Sequence, residues 1–195
     1  MTKIKMLNSI KDELKMCNKC RICTSQQVFF TGNPDAKIMF IGEAPGREEV
    51  KECKPFVGGA GKNLTKYLEQ VGINREKDLY ITNVVKCRPT KEDNPNKNKT
   101  PDLNEINACV HFLFDEVEIV QPKLIVLCGA TAYKGLTGKN SVTMGKIRGK
   151  IFQLELNGKS YEAITIYHPS YLMQYASQEQ IDTTIEDLKV VKTYL

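Results

Sequence analysis

Four apolar runs of strand length are the feature that most constrains how this chain of 195 residues folds. They are rich in Val, Ile and Leu and read KIMFIG, LYITNVV, LIVLCGA and AITIYHPS. Such continuous runs are typical of parallel strands buried on both faces. They predict an α/β fold, in which residues 1–195 form one domain around a central, mostly parallel four-stranded sheet with helices on both faces. Alternating residues around Asn157-Gly158 predict a small β-hairpin in addition.

Segments with helical spacing of apolar residues separate these runs. The spacing predicts an N-terminal helix around residues 4–14, a helix ending at Gly72, and two further helices near 103–120 and 178–194. The segment CRPTKEDNPNKNKTPD is rich in Lys, Asn and Pro and has little to bury, so we expect a long exposed loop there.

Charge and hydropathy limit the partners and the compartment. The chain has 28 Lys and Arg against 23 Asp and Glu, a formal net charge of +5 that permits a polyanionic partner. No apolar run is long enough to cross a membrane, and the first residues, MTKIKMLNSIKDELKM, have charges where a signal peptide is apolar. We therefore expect a cytoplasmic protein with no membrane partner.

Polar residues follow three of the four strands. They are Gly42-Glu43-Ala44-Pro45-Gly46, Thr82-Asn83 and His168-Pro169-Ser170. Ligands of open parallel sheets bind at the carboxyl ends of the strands, so these segments predict a single active site.

The seven cysteines are unusual for a reducing compartment, which favours metal-binding or catalytic thiols over disulfides. Cys17 and Cys20 form a C-x-x-C pair, and Cys87 and Cys109 flank the expected loop, so four thiolates could close a metal or iron–sulfur site. Spacing alone does not separate zinc from iron–sulfur, Cys20 and Cys23 form a second C-x-x-C pair, and buried cysteines without a ligand are common. The remaining two are expected to differ, with Cys128 in the core and Cys53 exposed.

Taken together, these motifs resemble the family 4 uracil-DNA glycosylases, the iron–sulfur group of their superfamily. The matching segments follow the family's order and are Cys17-x-x-Cys20, GNPDAKIMFIGEAPGREE, PFVGGAGK, YITNVVKCRP, NACVHFL, LIVLCGATA and HPSYL. The resemblance implies an enzyme that flips uracil out of DNA and hydrolyses its N-glycosidic bond, which initiates base excision repair. It also implies a structural 4Fe-4S cluster held by Cys17, Cys20, Cys87 and Cys109.

The resemblance assigns roles to residues in the strand-end segments. Asn83 is expected to read uracil through its amide, with Gly42 beside it, and Phe56 to stack on the base, although Phe56 could also be ordinary core. His168 is expected to donate a hydrogen bond to uracil O2. Ala44 stands where better-known members of the superfamily have an Asp that activates water, so the catalytic carboxylates are expected to be Glu43 and Glu49, and Glu48 could replace Glu49.

DNA contacts are expected from two further segments. Residues 120–154 contain no Asp or Glu, and Lys146 and Arg148 are candidates for phosphate binding. After the HPS motif, Ser170, Tyr171 and Leu172, with Met173 beyond them, are expected at the DNA, the apolar ones as a wedge into the duplex. The loop segment EDNPNKNKT looks longer than is usual in the family.

The expected partner is uracil-containing DNA, single- or double-stranded, and a monomer is sufficient for this chemistry. Two other classes of function compete with this interpretation. One is a non-enzymatic, metal-stabilised nucleic-acid-binding module. The other is a cysteine-based redox protein, which leaves GEAPG and HPS unexplained.

Overall fold

The computed structural model describes residues 2–24, 26–139 and 141–195, with the backbone alone at residues 23 and 24. Its strands are β1 (Thr31–Gly32), β2 (Ile38–Gly42), β3 (Leu79–Asn83), β4 (Leu124–Cys128), β5 (Ile151–Leu156) and β6 (Lys159–Ile166). They form one mixed sheet with the order β1-β3-β2-β4-β6-β5. The expected four-stranded sheet is therefore wrong in size, because the sheet has six strands.

The two additional strands lie at the edges and run antiparallel to their neighbours. The inner strands β3, β2, β4 and β6 pair in parallel, whereas β1 and β5 are antiparallel to β3 and β6. The predicted hairpin exists but is not a separate feature, since its second arm, β6, is also the fourth apolar strand. Its turn residues Asn157 and Gly158 both have positive φ, 48° and 73°, as the tight turn requires.

Helices cover both faces of the sheet. Their bounds are α1 (Lys3–Lys15), α2 (Arg47–Glu52), α3 (Gly59–Gln70), α4 (Arg75–Asp78), α5 (Leu103–Val120), α6 (Ala130–Thr137), α7 (Met144–Ile147), α8 (Pro169–Gln174) and α9 (Gln178–Lys192). One apolar cluster joins α1, α5 and α6 to the sheet, and a second joins α3, α8 and α9 to its other face. None of the helices in the described ranges is long and apolar enough to span a membrane.

The start of α5 connects three separate parts of the chain. Asp102 and Glu105 cap the helix reciprocally, since each side chain accepts the backbone N–H of the other at 2.9 Å. The buried Glu105 carboxylate also accepts from Arg21 Nε at 3.0 Å and from Lys99 Nζ at 2.7 Å. The cysteine-rich N-terminal segment and the long loop are thus both attached to this helix end.

A fully buried salt bridge fixes the carboxyl end of β3. Lys86 Nζ lies 2.6 Å from Glu116 Oε2, and both side chains have 0% exposure. The same ammonium donates to Thr82 Oγ1 at 2.7 Å and to the Asn83 carbonyl at 2.8 Å. Burial raises the pKa of Glu116, and the Lys86 ammonium opposes that rise. Because each charge has several partners, the pair is tolerated in the core only while it is complete.

We expect Lys86→Met to lower the free energy of unfolding by roughly 3–5 kcal/mol, because Glu116 would be left buried without its counter-charge. The double variant Lys86→Met/Glu116→Leu should recover most of that loss. The measurement is denaturant unfolding of the protein as purified without oxygen. The exposed pair Lys159–Glu118 is the matched control, and Lys159→Met should cost less than about 1 kcal/mol. Equal effects of the two Lys→Met changes would contradict this assignment.

Candidate active site

The ends of β2, β3 and β6 open into one cavity of about 570 Å³. Its lining includes the candidate site residues Glu43, Glu49, Phe56, Asn83, His168 and Ser170, and the alternative carboxylate Glu48. These residues come from four separate segments of the chain. They meet because parallel strands end at the same edge of the sheet.

Asn83 is the polar side chain most deeply set in this wall. It is 2% exposed, and its backbone carbonyl is held by Lys86. Its side-chain amide makes no hydrogen bond with any described group of the protein. The amide is not among the buried polar atoms that lack a partner, and Asn83 lines the cavity, so its donor and its acceptor are available to a ligand there.

Gly42 allows Asn83 and Phe56 to lie together under the cavity. A Cβ at position 42 would lie 2.3 Å from Asn83 Oδ1 and 2.6 Å from Phe56 Cζ. Any other residue at this position would therefore displace the amide, the ring or both. The role of Gly42 is to leave space for the two side chains.

The backbone of Phe56 is held in the left-handed region, with φ of 54°. Arg75 secures it, donating from Nη1 to the Phe56 carbonyl at 2.8 Å and from Nη2 to the Pro55 carbonyl at 3.2 Å. At Gly61, a Cβ would lie 1.8 Å from the Phe56 carbonyl oxygen. The ring packs in the core cluster and also lines the cavity, so the core and ligand-binding interpretations of Phe56 are compatible. Arg75 was not singled out in the sequence, because its position in a polar stretch gives no signal of this contact.

His168 faces Phe56 across the cavity, with ring centroids 6.2 Å apart. It caps α8, and its Nδ1 accepts the backbone N–H of Ser170 at 3.2 Å. Nδ1 also lies 2.7 Å from Ser170 Oγ, a hydroxyl that can donate or accept. Because the backbone N–H can only donate, the tautomer that satisfies both contacts has the ring proton of neutral His168 on Nε2. Burial lowers the pKa of His168 to about 4, and the charge of Glu49 opposes that shift. His168 is therefore a neutral donor near pH 7.

The two candidate carboxylates have different surroundings. Burial raises the pKa of Glu43, and hydrogen bonds from Thr131 and Thr100 oppose the rise. Glu49 instead connects two loops, accepting the Gly46 N–H on Oε2 at 3.1 Å and the Gly58 N–H on Oε1 at 2.9 Å. Glu43 is thus suited to acid–base or electrostatic work, and Glu49 holds the cavity wall in place.

The long loop is not simply a solvated connection. Its residues Pro89, Asn98, Lys99 and Thr100 line the cavity. Its composition concealed this contribution, since polar residues in a loop carry no periodic signal.

The segment after the HPS motif differs in part from expectation. Leu172 is 5% exposed and packs in a core cluster, so it is not placed to enter a duplex, and that expectation needs correction. Tyr171 is half-buried, with its ring stacked on Tyr167 at 5.4 Å. Met173 is 50% exposed, and its Cε lies 3.0 Å from where a Cβ on Gly59 would be, at the edge of the cavity. Met173 is the apolar side chain of this segment that is accessible.

The two candidate phosphate-binding residues differ in their exposure to solvent. Lys146 is exposed on α7. Arg148 is mostly buried and pairs with Asp187, with Nε 3.1 Å from Oδ2. Its guanidinium also lies over the Tyr167 ring, 5.7 Å from the centroid. Arg148 therefore ties α7 to α9, and its charge is largely neutralised within the protein.

The cysteines expected to hold a cluster converge on one side of the sheet. Cys87 and Cys109 belong to the apolar cluster on that face, and Cys17 and Cys20 pack against it. Cys109 Sγ accepts the Lys86 N–H at 3.2 Å, and burial raises the pKa of Cys109 to about 11. Where side chains are described, no three His, Cys, Asp or Glu form a ready metal-binding group. The alternative pair that uses Cys23 lies outside the described side chains.

The other two described cysteines match their expectations. Cys128 is fully buried at the end of β4, and Cys53 is exposed. Neither lines the cavity described above.

The pKa of His168 provides a direct test of this site. We expect the imidazole of His168 to stay neutral from pH 8 down to about 5, with a midpoint of about 4, because burial disfavours its charged form. The measurement is NMR titration of the imidazole Cε1–H signals. The chain has two histidines, so His111→Gln assigns them. A midpoint near the unperturbed value of about 6.5 would contradict the inferred environment.

Comparison with known proteins extends this description. Residues 29–189 match the family model described as the uracil DNA glycosylase superfamily. A Type-4 uracil-DNA glycosylase of Thermotoga maritima is 40% identical over 196 residues, which cover 100% of this chain and 97% of that protein. One of Archaeoglobus fulgidus is 38% identical over 86% of this chain and 83% of its own length.

A more distant similarity involves a larger protein. A DNA polymerase of Bacillus phage SP01 is 32% identical over 164 residues, which cover 84% of this chain but only 16% of the polymerase. The family model and the full-length relatives agree, and the chain belongs to the uracil DNA glycosylase superfamily.

Proposed function

We propose that this protein is a uracil-DNA glycosylase that hydrolyses the N-glycosidic bond of deoxyuridine in DNA and leaves an abasic site. The observation that most supports this proposal is the side-chain amide of Asn83, which has no partner among the described residues. It lies in the wall of a cavity that is also lined by Phe56 and His168. The Type-4 names of the full-length relatives support the same activity. The product is an abasic site of the kind that initiates base excision repair.

Asn83 would distinguish uracil from cytosine by hydrogen-bond pattern. Its NH₂ group can donate to uracil O4 while its carbonyl oxygen accepts from uracil N3–H. Cytosine has an amine in place of O4 and an acceptor at N3, so both contacts would become repulsive. The Lys86 ammonium, which holds the Asn83 backbone carbonyl, fixes the position of this amide.

Access to the cavity requires that the base leave the stack. A glycosylase cannot reach the glycosidic bond inside a duplex, so the nucleotide is flipped into the pocket. Phe56 would then stack on the uracil ring, which its fixed backbone allows without rearrangement. The cavity volume of about 570 Å³ is within the range of small-ligand sites.

His168 would stabilise the leaving group. As the bond breaks, negative charge develops on uracil, and the neutral imidazole can donate from Nε2 to O2. The Ser170 N–H, which occupies Nδ1, keeps the proton on the nitrogen that is needed. Burial holds the pKa of His168 at about 4, so the imidazole is neutral near pH 7. It therefore donates to uracil as a neutral group.

Glu43 is our candidate for the carboxylate that positions water or stabilises the cationic sugar. Its location among the hydroxyls of Thr100 and Thr131 keeps it at the cavity wall. Glu49 would contribute by keeping the Gly46 and Gly58 loops together. Losses of only a fewfold in both Glu43→Ala and Glu49→Ala would reject these roles.

The DNA would contact the surface around the cavity mouth. Ser170 and Tyr171 follow His168 closely in the chain, and of the apolar residues expected as a wedge, the exposed Met173 rather than the buried Leu172 would enter the duplex. Lys146 remains a candidate for phosphate binding, whereas Arg148 would act by holding α7 in place. We propose a monomer that works in the cytoplasm, where its thiols stay reduced.

We further propose that Cys17, Cys20, Cys87 and Cys109 hold a 4Fe-4S cluster. Four thiols from three segments gather against one apolar cluster, and this donor set fits iron–sulfur ligation. When bound, the cluster would supply a structural cross-link and no redox chemistry on the substrate. The Lys86 N–H to Cys109 contact would stabilise a thiolate at this position.

The activity is tested by uracil release from a single-stranded oligonucleotide with one deoxyuridine, with alkali cleavage to reveal the abasic site. Asn83→Ala should lower kcat/KM roughly 100-fold, because two hydrogen bonds to the base are lost. Asn104→Ala, on the exposed face of α5, is the matched control and should behave as the wild type.

A cytosine oligonucleotide serves as the substrate control in the same assay. An iron-replete wild-type sample that releases no uracil would instead support a non-enzymatic nucleic-acid-binding module. Equal activity of Asn83→Ala and wild type would reject the recognition role while keeping the enzyme.

The cluster is tested by iron and sulfide analysis of protein purified without oxygen. We expect about four irons and four sulfides per chain, with a brown colour, from the ligand count of this cluster type. Cys17→Ser should lose most of the iron, and the exposed Cys53→Ser should retain it. A colourless protein with zinc and no sulfide would contradict the assignment.

A further inference from the structure

We infer that Arg47, Arg88 and the long loop form a phosphate-binding site at the mouth of the cavity, which takes one phosphodiester next to the flipped nucleotide. The inference rests on the proposed function and assigns a role to the segment EDNPNKNKT. The ligand chemistry is a DNA phosphodiester.

The two arginines meet at one loop residue. Arg47 Nη2 donates to the Asn96 carbonyl at 3.0 Å and to Asn96 Oδ1 at 2.9 Å. Arg88 Nη2 donates to the same carbonyl at 3.1 Å, and its Nε donates to Asn98 Oδ1 at 2.7 Å. Two guanidinium groups that share one oxygen are close neighbours, although they have the same charge.

The electrostatics of this arrangement favour an anion. The two positive charges lie side by side, because both guanidinium groups donate to the Asn96 carbonyl. Among the described residues, no carboxylate lies within ion-pair distance of Arg47, which is exposed. The uncharged amide of Asn96 holds Arg47 in this position, so no described carboxylate neutralises the Arg47 charge. A bound phosphate would offset it, and guanidinium groups match its oxygens geometrically.

The location of the pair selects a phosphate of the target nucleotide. Arg47 and Asn98 line the same cavity as Asn83 and His168. A flipped base stays attached to its sugar and to the two flanking phosphates, so a base in this cavity brings a phosphate to its mouth. Phosphate contacts of this kind fix register without reading sequence.

The loop is the element that makes the arrangement possible. Asn96 and Asn98 both belong to the loop segment EDNPNKNKT. Thr90 and Asn98 form an isolated antiparallel bridge, which turns the loop back toward Arg88. The loop therefore supplies the acceptors that orient both arginines.

The test compares wild type with Arg47→Gln/Arg88→Gln on single-stranded deoxyuridine oligonucleotides under single-turnover conditions. Replacing one flanking phosphate, 5′ or 3′, by a neutral methylphosphonate should lower wild-type kcat/KM roughly 10- to 100-fold, the effect of a charge-assisted contact. The double variant should lose about the same factor on normal DNA and be indifferent to that methylphosphonate. Its slope of log kcat/KM against log salt should fall by about 0.7, as one phosphate contact requires.

Two controls separate this site from a loss of folding or of activity. Inhibition by free uracil should be unchanged in the double variant, because the base pocket is intact, whereas a disturbed pocket would weaken it. Lys123→Gln, at the opposite end of the sheet before β4, should keep the wild-type response to the methylphosphonate.

The outcomes are distinct. A double variant as sensitive to either methylphosphonate as the wild type would overturn the phosphate site alone. A slope change of about 1.4 would overturn the shared site, because it would mean two separate phosphates. Absence of uracil release by the wild type would instead reject the proposed function.

Discussion

The buried salt bridge between Lys86 and Glu116 is the interaction on which the rest of this molecule depends. Its ammonium holds the Asn83 carbonyl, and the backbone N–H of the same lysine donates to Cys109 Sγ. One residue therefore sets the position of the amide that we propose reads the base, and it contacts a cysteine of the proposed cluster. The end of β3 is rigid because a charge cannot leave this environment without its partner.

The inner sheet was predictable from the sequence because its strands are buried on both faces and so are apolar throughout. The edges were not. The strand β1 has only two residues, Thr31 and Gly32, and its pairing with Ile81 and Tyr80 depends on contacts remote in sequence. The hairpin around Asn157-Gly158 was recognisable, but its union with the main sheet depended on how far β6 continues into the core.

The site was predictable where strand ends carry polar residues, as at Glu43, Asn83 and His168, because parallel topology brings those ends together. It was not predictable where residues act through distant partners. Arg75 holds the Phe56 carbonyl from another segment, and loop residues such as Asn98 have no periodic pattern. Leu172 was misplaced for a related reason, since a single apolar residue after a turn gives no indication of which way it faces.

The left-handed backbone of Phe56 has a consequence for the thermodynamics of base capture. A non-glycine residue in this region carries strain on the order of 1–3 kcal/mol. This cost is offset on folding, because the contact from Arg75 and the space left by Gly61 fix the backbone in this conformation. Ordering a side chain at a binding surface ordinarily costs about 0.5–1.5 kcal/mol at the moment of association. Here the ring is preorganised, so a base that stacks on Phe56 as proposed loses its own conformational freedom, whereas the ring has none left to lose.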